Sequence, residues 1–133
     1  MRRQFQLTEE DEACLTARGL QWETVVETAT KTKWLIVHAY PIPEGFNHRS
    51  ASVALRIPPS YPDEQIDMAY FSPSLALLSG AAIKQLTMTT IDGKPYQQWS
   101  RHRTATNPWR PGLDNACTHL LQTDTWLERA LKG

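Results

Sequence analysis

Three adjacent residues in the C-terminal half carry groups suited to acyl transfer. Ser100 offers a hydroxyl nucleophile, His102 an imidazole base, and Arg101 a cation for a developing negative charge. Ser100 and His102 are two positions apart, so on a strand they share a face, and in a loop they meet only if the backbone turns. We interpret the three as candidate catalytic residues. The alternative is a polar loop that orders itself or binds a partner.

Aromatic and basic side chains surround these three residues. The segment from Lys94 to Gly112 contains no acidic residue. We expect it to contact an acidic protein surface or a C-terminal carboxylate. It could also bind phosphates and stack bases, but zero net charge and the lack of a groove-reading motif do not favour nucleic acid. The predicted partner-binding residues are Trp99, Arg103, Trp109 and Arg110.

The composition is typical of one globular domain spanning residues 1–133. Apolar residues make up 41% of the chain, and the balanced charge gives no general attraction to nucleic acid or acidic membranes. The first residues turn acidic where a signal peptide needs an apolar run. No stretch is apolar enough to span a bilayer. We therefore expect a cytoplasmic protein with no membrane partner.

The cysteines and histidines do not indicate a metal site. Cys14 and Cys117 are far apart and neither belongs to a Cys-x-x-Cys pair, so we predict neither zinc nor a disulfide. Cys117 falls on an apolar helical stripe, whereas a catalytic thiolate needs some exposure and a positive neighbour. We interpret it as an inert, buried side chain. The histidines are scattered, and we expect no metal and no cofactor.

The periodicity predicts an α+β fold: an N-terminal helix, a four-stranded antiparallel meander, an irregular active-site-like loop and a C-terminal helix. The first helix spans Leu7–Arg18 and is capped by Thr8. The last spans Gly112–Leu131, with Leu113, Cys117, Leu120 and Leu121 on its apolar stripe. A helical turn is predicted at Ser79–Ile83. The predicted strands are Trp22–Thr28, Lys33–Tyr40, Ser52–Ile57 and Met68–Phe71.

Two proline motifs connect these elements. Pro59-Ser60-Tyr61-Pro62 follows the third predicted strand, and Trp109-Arg110-Pro111 precedes the last helix. A helix, a meander, a Pro-x-x-Tyr-Pro connector and a Trp-x-Pro before a helix resemble the ubiquitin-conjugating enzyme fold. The sequence looks most like a divergent bacterial branch of that superfamily, found with ubiquitin-like proteins and their activating enzymes. The resemblance covers nearly the whole chain.

The chain departs from the family at the residues that do the chemistry. Gln65-Ile66 replaces a proline pair, and Ser72-Pro73-Ser74 replaces a His-Pro-Asn whose Asn assists the oxyanion. The family's nucleophilic cysteine lies roughly eight residues before the Trp of Trp-x-Pro. Counting back from Trp109 reaches Arg101, beside Ser100, and no cysteine is near.

The resemblance implies two partners, a ubiquitin-like protein and its activating enzyme, and leaves three functions open. The first is a ubiquitin-conjugating enzyme-like transferase that accepts the activated tail as an acyl intermediate, an oxyester if the nucleophile is Ser100. The second is a catalytically inactive adaptor of the same fold, which the missing cysteine favours. The third is a nucleic-acid-binding module.

Overall fold

The computed structural model describes all residues from Met1 to Gly133. Two α-helices flank a single six-stranded antiparallel sheet with the strand order β1-β2-β3-β4-β6-β5. This confirms the predicted α+β class. In chain order the elements are α1 (Glu9–Ala17), β1 (Gln21–Val26), β2 (Lys33–Pro41), β3 (Ser50–Ile57), β4 (Ala69–Ser72), β5 (Leu86–Ile91), β6 (Lys94–Trp99) and α2 (Ala116–Lys132).

The prediction of four strands is wrong, because a further hairpin, β5–β6, extends the meander. Its turn is Asp92-Gly93, and both residues have positive φ, 53° and 73°. An Asp-Gly pair suits such a two-residue turn because glycine adopts positive φ without strain. The sequence did not indicate β6 as a strand because it contains Pro95 and the polar Gln97 and Gln98. The hairpin matters for function because β6 leads directly into Ser100.

The helical turn predicted at Ser79–Ile83 is also wrong. The structure has only a turn there, in which the Gly80 N–H donates to the carbonyl of Leu77 at 3.0 Å. The chain then runs irregularly to β5. This irregular segment lies close to the C-terminal end of α2, and residues 82–84 line a pocket there.

Helix α2 begins at Ala116, later than the predicted Gly112. A capping box fixes this start: the Asn115 side chain accepts from the Thr118 N–H at 3.0 Å, and the Thr118 hydroxyl accepts from the Asn115 N–H at 2.9 Å. Because the helix starts later, Leu113 lies outside it and is 70% exposed. Leu121 lies within the helix but on its solvent-facing side. Their predicted inward positions are corrected.

The core lies between one face of the sheet and the two helices. Leu15 of α1 and Leu120 of α2 are fully buried against strand residues such as Leu35 and Phe71. A smaller apolar cluster, centred on the edge-to-face pair of Trp34 and Tyr70, covers the opposite face of the sheet. Both helices therefore lie on one face, as the sequence predicted.

Leu120→Ala tests this packing. We expect a loss of about 2–5 kcal/mol in the free energy of unfolding, because the change removes buried methyl groups and leaves a cavity. Leu121→Ala on the same helix is the matched control. Leu121 is 59% exposed, so its truncation should change stability by less than about 0.5 kcal/mol. Urea denaturation measures both, and equal midpoints for the two variants would contradict the assigned helix face.

The prediction that the cysteines form no disulfide is wrong in this structure. Cys14 of α1 and Cys117 in the first turn of α2 are bonded, with their Cα atoms 6.5 Å apart. They are 103 positions apart, and only the packing of the two helices brings them together. The interpretation of Cys117 as a buried side chain on the helix is retained, since it is 7% exposed.

We expect this disulfide to stabilise the oxidised protein by about 2–5 kcal/mol, because it closes a long loop in the unfolded chain. Urea denaturation with and without a thiol reductant measures the difference. A variant with both cysteines changed to alanine is the control, since reductant should not alter its midpoint. A wild-type midpoint that ignores reductant would contradict a stabilising cross-link.

Candidate functional site

The candidate site is the loop of residues 100–115 between β6 and α2, and it is held at both ends. Trp99, the last residue of β6, is 1% exposed and anchors the entry. The Ser100 N–H donates to the carbonyl of Gln85 at 3.0 Å. At the exit, Pro111 and Gly112 occupy the centre of a turn closed by the Leu113 N–H, and Gly112 has φ +86°. Proline followed by glycine is the combination that a type II turn favours.

The Tyr-Pro connector supports the middle of this loop. The Trp109 indole N–H donates to the carbonyl of Pro62 at 2.9 Å, and the Trp109 ring packs near Tyr61 with centroids 6.3 Å apart. The two motifs that carried the family resemblance are therefore in direct contact. Their contact fixes the position of Trp109 relative to the sheet.

A buried carboxylate joins the connector to both helices. Asp11 of α1 is fully buried, accepts from the Tyr61 hydroxyl at 2.6 Å, and accepts from the Ala116 N–H at 3.0 Å. The Tyr61 oxygen also accepts from Ala116 N–H at 2.8 Å. The pKa of Tyr61 is raised, first by burial and then by its bond to Asp11. An anion suits the N-terminus of α2 because of the helix dipole. The sequence analysis did not predict this role for Asp11.

His102, the predicted base, is paired with a residue that sequence reasoning missed. Its Nδ1 lies 2.9 Å and 3.0 Å from the two carboxylate oxygens of Asp67, between β3 and β4. The side chain of His102 is 61% exposed, and its Nε2 makes no hydrogen bond within the protein. An Asp on one ring nitrogen fixes the tautomer and leaves the other nitrogen free to accept a proton. The two residues are 35 positions apart, so no local sequence pattern indicated the pair.

Ser100, the predicted nucleophile, is partly buried and has one side-chain partner. Its Oγ accepts from the Gln98 side-chain amide at 3.3 Å. Ser100 and His102 are not hydrogen-bonded to each other. Catalytic hydrogen bonds are often loose in the free enzyme, so this arrangement leaves the role of Ser100 a prediction.

Arg101 lies between them and has no acidic partner. Its guanidinium lies 5.1 Å from the centre of the Trp99 ring and donates to the Ser100 carbonyl at 3.3 Å. No carboxylate lies within ion-pair distance of it. Burial lowers the pKa of Arg101. A cation in this state is available to an anion that binds beside the loop.

The predicted partner-binding residues divide into two pairs. Trp99 lies in the core, and the Arg103 side chain is only 5% exposed, 3.8 Å from Asp114 and over the Trp109 ring. Burial lowers the pKa of Arg103. Trp109 is partly exposed and Arg110 is exposed, so these two are accessible to a partner. The basic residues of the loop therefore do not form one continuous surface.

His119 lies beneath the loop in a buried position that sequence reasoning did not single out. Its Nε2 lies 2.8 Å from the carbonyl of Met68, and its ring meets Trp126 edge to face. Burial lowers the pKa of His119 to about 4. The ring is therefore neutral near pH 7 and acts as a polar part of the core. Met68 follows Asp67, so this contact also steadies the partner of His102.

A helix, an antiparallel sheet, a supported loop and a final helix, with the two proline motifs in contact, define a ubiquitin-conjugating-type (E2-like) domain. The chain belongs to Prokaryotic E2 family E, whose sequence profile matches residues 7–130. No curated protein and no solved structure matches the chain. Neither helix is long and apolar enough to cross a membrane.

Proposed function

We propose that this domain is a carrier in a bacterial ubiquitin-like conjugation pathway and accepts the activated tail of a ubiquitin-like protein on Ser100. Membership of an E2-like family supports the general role. The specific role rests on the pairing of His102 with Asp67. His102 lies two residues after Ser100, the candidate nucleophile. Serine is a weak nucleophile without a base, and this pair supplies an oriented base two residues along the chain from Ser100.

The proposed step is an acyl transfer. The Ser100 Oγ attacks the activated carbonyl carbon, forming a C–O bond, while His102 Nε2 takes the hydroxyl proton. The tetrahedral intermediate collapses, the bond to the leaving group breaks, and the leaving group departs with the electron pair and is then protonated. An amine of the acceptor later attacks the oxyester and releases Ser100 with its proton restored.

Asp67 and Arg101 have supporting roles in this proposal. Asp67 orients the His102 ring and stabilises the imidazolium that forms when the proton is taken. Arg101, with no acidic partner, offsets the negative charge on the tetrahedral oxygen. That role replaces the oxyanion asparagine of the family, which this chain lacks.

The second candidate function is a catalytically inactive adaptor. Two observations favour it: Ser100 and His102 are not hydrogen-bonded to each other, and both cysteines are in a disulfide, so no free thiol exists to form a thioester. Such an adaptor would bind the ubiquitin-like protein or its activating enzyme through the accessible Trp109 and Arg110. The nucleic-acid alternative gains no support, since Arg103 points inward.

The test mixes the purified protein with the ubiquitin-like protein and activating enzyme encoded in the same genome, and ATP. We expect a covalent adduct that survives thiol reductant and is cleaved by hydroxylamine or base, as an oxyester is. An adduct lost in reductant would be a thioester and would contradict Ser100 as the nucleophile. No adduct, together with tight non-covalent binding to either partner, would favour the adaptor.

A further inference from the structure

A pocket of about 350 Å³ lies beside the 100–115 loop, near the C-terminal end of α2. Three separate parts of the chain form it: the irregular segment before β5, the start of the 100–115 loop, and the last turns of α2. Its size falls at the lower end of the range for ligand-binding pockets. The lining includes Ile83, Lys84, Arg101, His102, Trp126 and Arg129.

The charged side chains that line this pocket are all positive, and we call it the basic pocket. Lys84, Arg101 and Arg129 come from the three different parts of the chain. The imidazole of His102 also lines the pocket. No aspartate or glutamate lines the pocket, and none of the three cations has an ion-pair partner. Asp67, which is paired with His102, is not among the lining residues. The protein therefore brings three cations together without an acidic side chain to pair with them.

Solvated surface cations would not by themselves indicate a ligand, but Arg101 is partly withdrawn from water. Burial lowers its pKa, and its only hydrogen bond is to a backbone carbonyl. A partly desolvated cation without a counter-charge destabilises the folded protein, and a bound anion offsets that cost. Trp126, buried beneath the pocket, and Ile83 give it an apolar wall that strengthens such an ion pair.

We propose that the basic pocket binds an acidic peptide segment of a protein partner, through its side-chain carboxylates. The pocket is partly open to solvent and, at about 350 Å³, is larger than a single small anion requires. Two of its three cations are arginines, whose planar guanidinium groups match carboxylates bidentately. The inference needs no chemistry at Ser100, so it holds for a carrier and for an adaptor alike.

The test uses two capped peptides, Gly-Glu-Asp-Glu-Gly and its uncharged counterpart Gly-Gln-Asn-Gln-Gly, titrated into the ¹⁵N-labelled full chain. We expect the acidic peptide to shift the backbone amides of residues 82–84, 101–102 and 129–130 saturably, and the uncharged peptide to shift none. The affinity should fall as sodium chloride is raised, because ions screen exposed charges.

A double variant, Lys84→Gln with Arg129→Gln, removes two of the cations and leaves the sequence of the 100–115 loop unchanged. Its affinity for the acidic peptide should fall about tenfold or more, as expected for the loss of charged hydrogen bonds. Lys132→Gln is the matched control, since Lys132 is exposed in the same last turn of α2 but does not line the pocket. Its affinity should match that of the wild type.

Three results would overturn the proposal. The first is equal affinity in the wild type and the double variant, and the second is equal binding of the uncharged peptide. The third is saturation of the same amides by inorganic phosphate when the acidic peptide causes no shifts, which would make this a site for a small free oxyanion. Binding of both phosphate and peptide, with phosphate displacing the peptide, supports the proposal.

Discussion

Ser100→Ala should abolish the covalent adduct with the activated tail and leave the fold intact. The change removes the candidate nucleophilic hydroxyl, which is next to Arg101 in the chain and two residues before His102, the partner of Asp67. It also removes one hydrogen bond, from the Gln98 amide at 3.3 Å, and so should lower stability by only about 1 kcal/mol. Adduct formation is followed by denaturing gel electrophoresis, and folding is checked by urea denaturation.

Two further variants separate a nucleophile from a residue that merely supports the loop. Ser100→Cys keeps the position and supplies a stronger nucleophile, so it should restore an adduct that is now cleaved by thiol reductant. Thr106→Ala removes an exposed hydroxyl from the same loop and should leave the adduct unchanged. An unchanged adduct in Ser100→Ala would exclude Ser100, and an adduct on Ser100→Cys that resists reductant would show that the acyl group is attached elsewhere.

The outline of the fold could be read from the sequence because its signals are local. The buried strand at Lys33–Pro41 and the cap at Thr8 each follow from a few neighbouring residues. The Tyr-Pro connector and Trp109 were recognisable as motifs, and the structure shows why both occur: Trp109 donates to Pro62. The hairpin β5–β6 was missed because Pro95 and the glutamines disguise a strand, although Asp92-Gly93 was an available turn signal.

The features that escaped sequence reasoning depend on pairs distant along the chain. Asp67 approaches His102 across 35 positions, and Cys14 approaches Cys117 across 103. Neither pair has a spacing motif, so only the folded sheet and helices bring its members together. The orientation of side chains in the 100–115 loop could not be predicted either. The sequence identifies Arg103 as a cation but does not show that its side chain turns inward over Trp109.

Because neither cysteine is a free thiol, the kind of acyl intermediate that this protein can form is restricted. Both sulfurs are held between α1 and α2, so a thioester on this chain is excluded while the disulfide is intact. The acyl intermediate that we propose is then carried by an oxygen, as an oxyester on Ser100. An oxyester reacts more slowly than a thioester, so a serine carrier depends more heavily on a base to activate both its own hydroxyl and the incoming amine.

His102→Ala should therefore slow adduct formation by about 10²–10⁴-fold, the usual contribution of a general base. Asp67→Asn should slow it by less, because the imidazole remains but loses the carboxylate that orients it at 2.9 Å. The measurement is the single-turnover rate at saturating donor, so that weaker binding of the partner does not contribute. His48→Gln, a change at a histidine outside the site, should keep the wild-type rate.

Addition of imidazole distinguishes a base from a residue that only holds the loop. Free imidazole can enter the space left by His102→Ala, since that side chain is 61% exposed, and it should restore part of the rate. It should not restore activity to Ser100→Ala, where the nucleophile itself is missing. A wild-type rate in His102→Ala would exclude the residue from catalysis. A slow His102→Ala that imidazole does not rescue, with normal rates in Asp67→Asn, would assign His102 to loop structure instead.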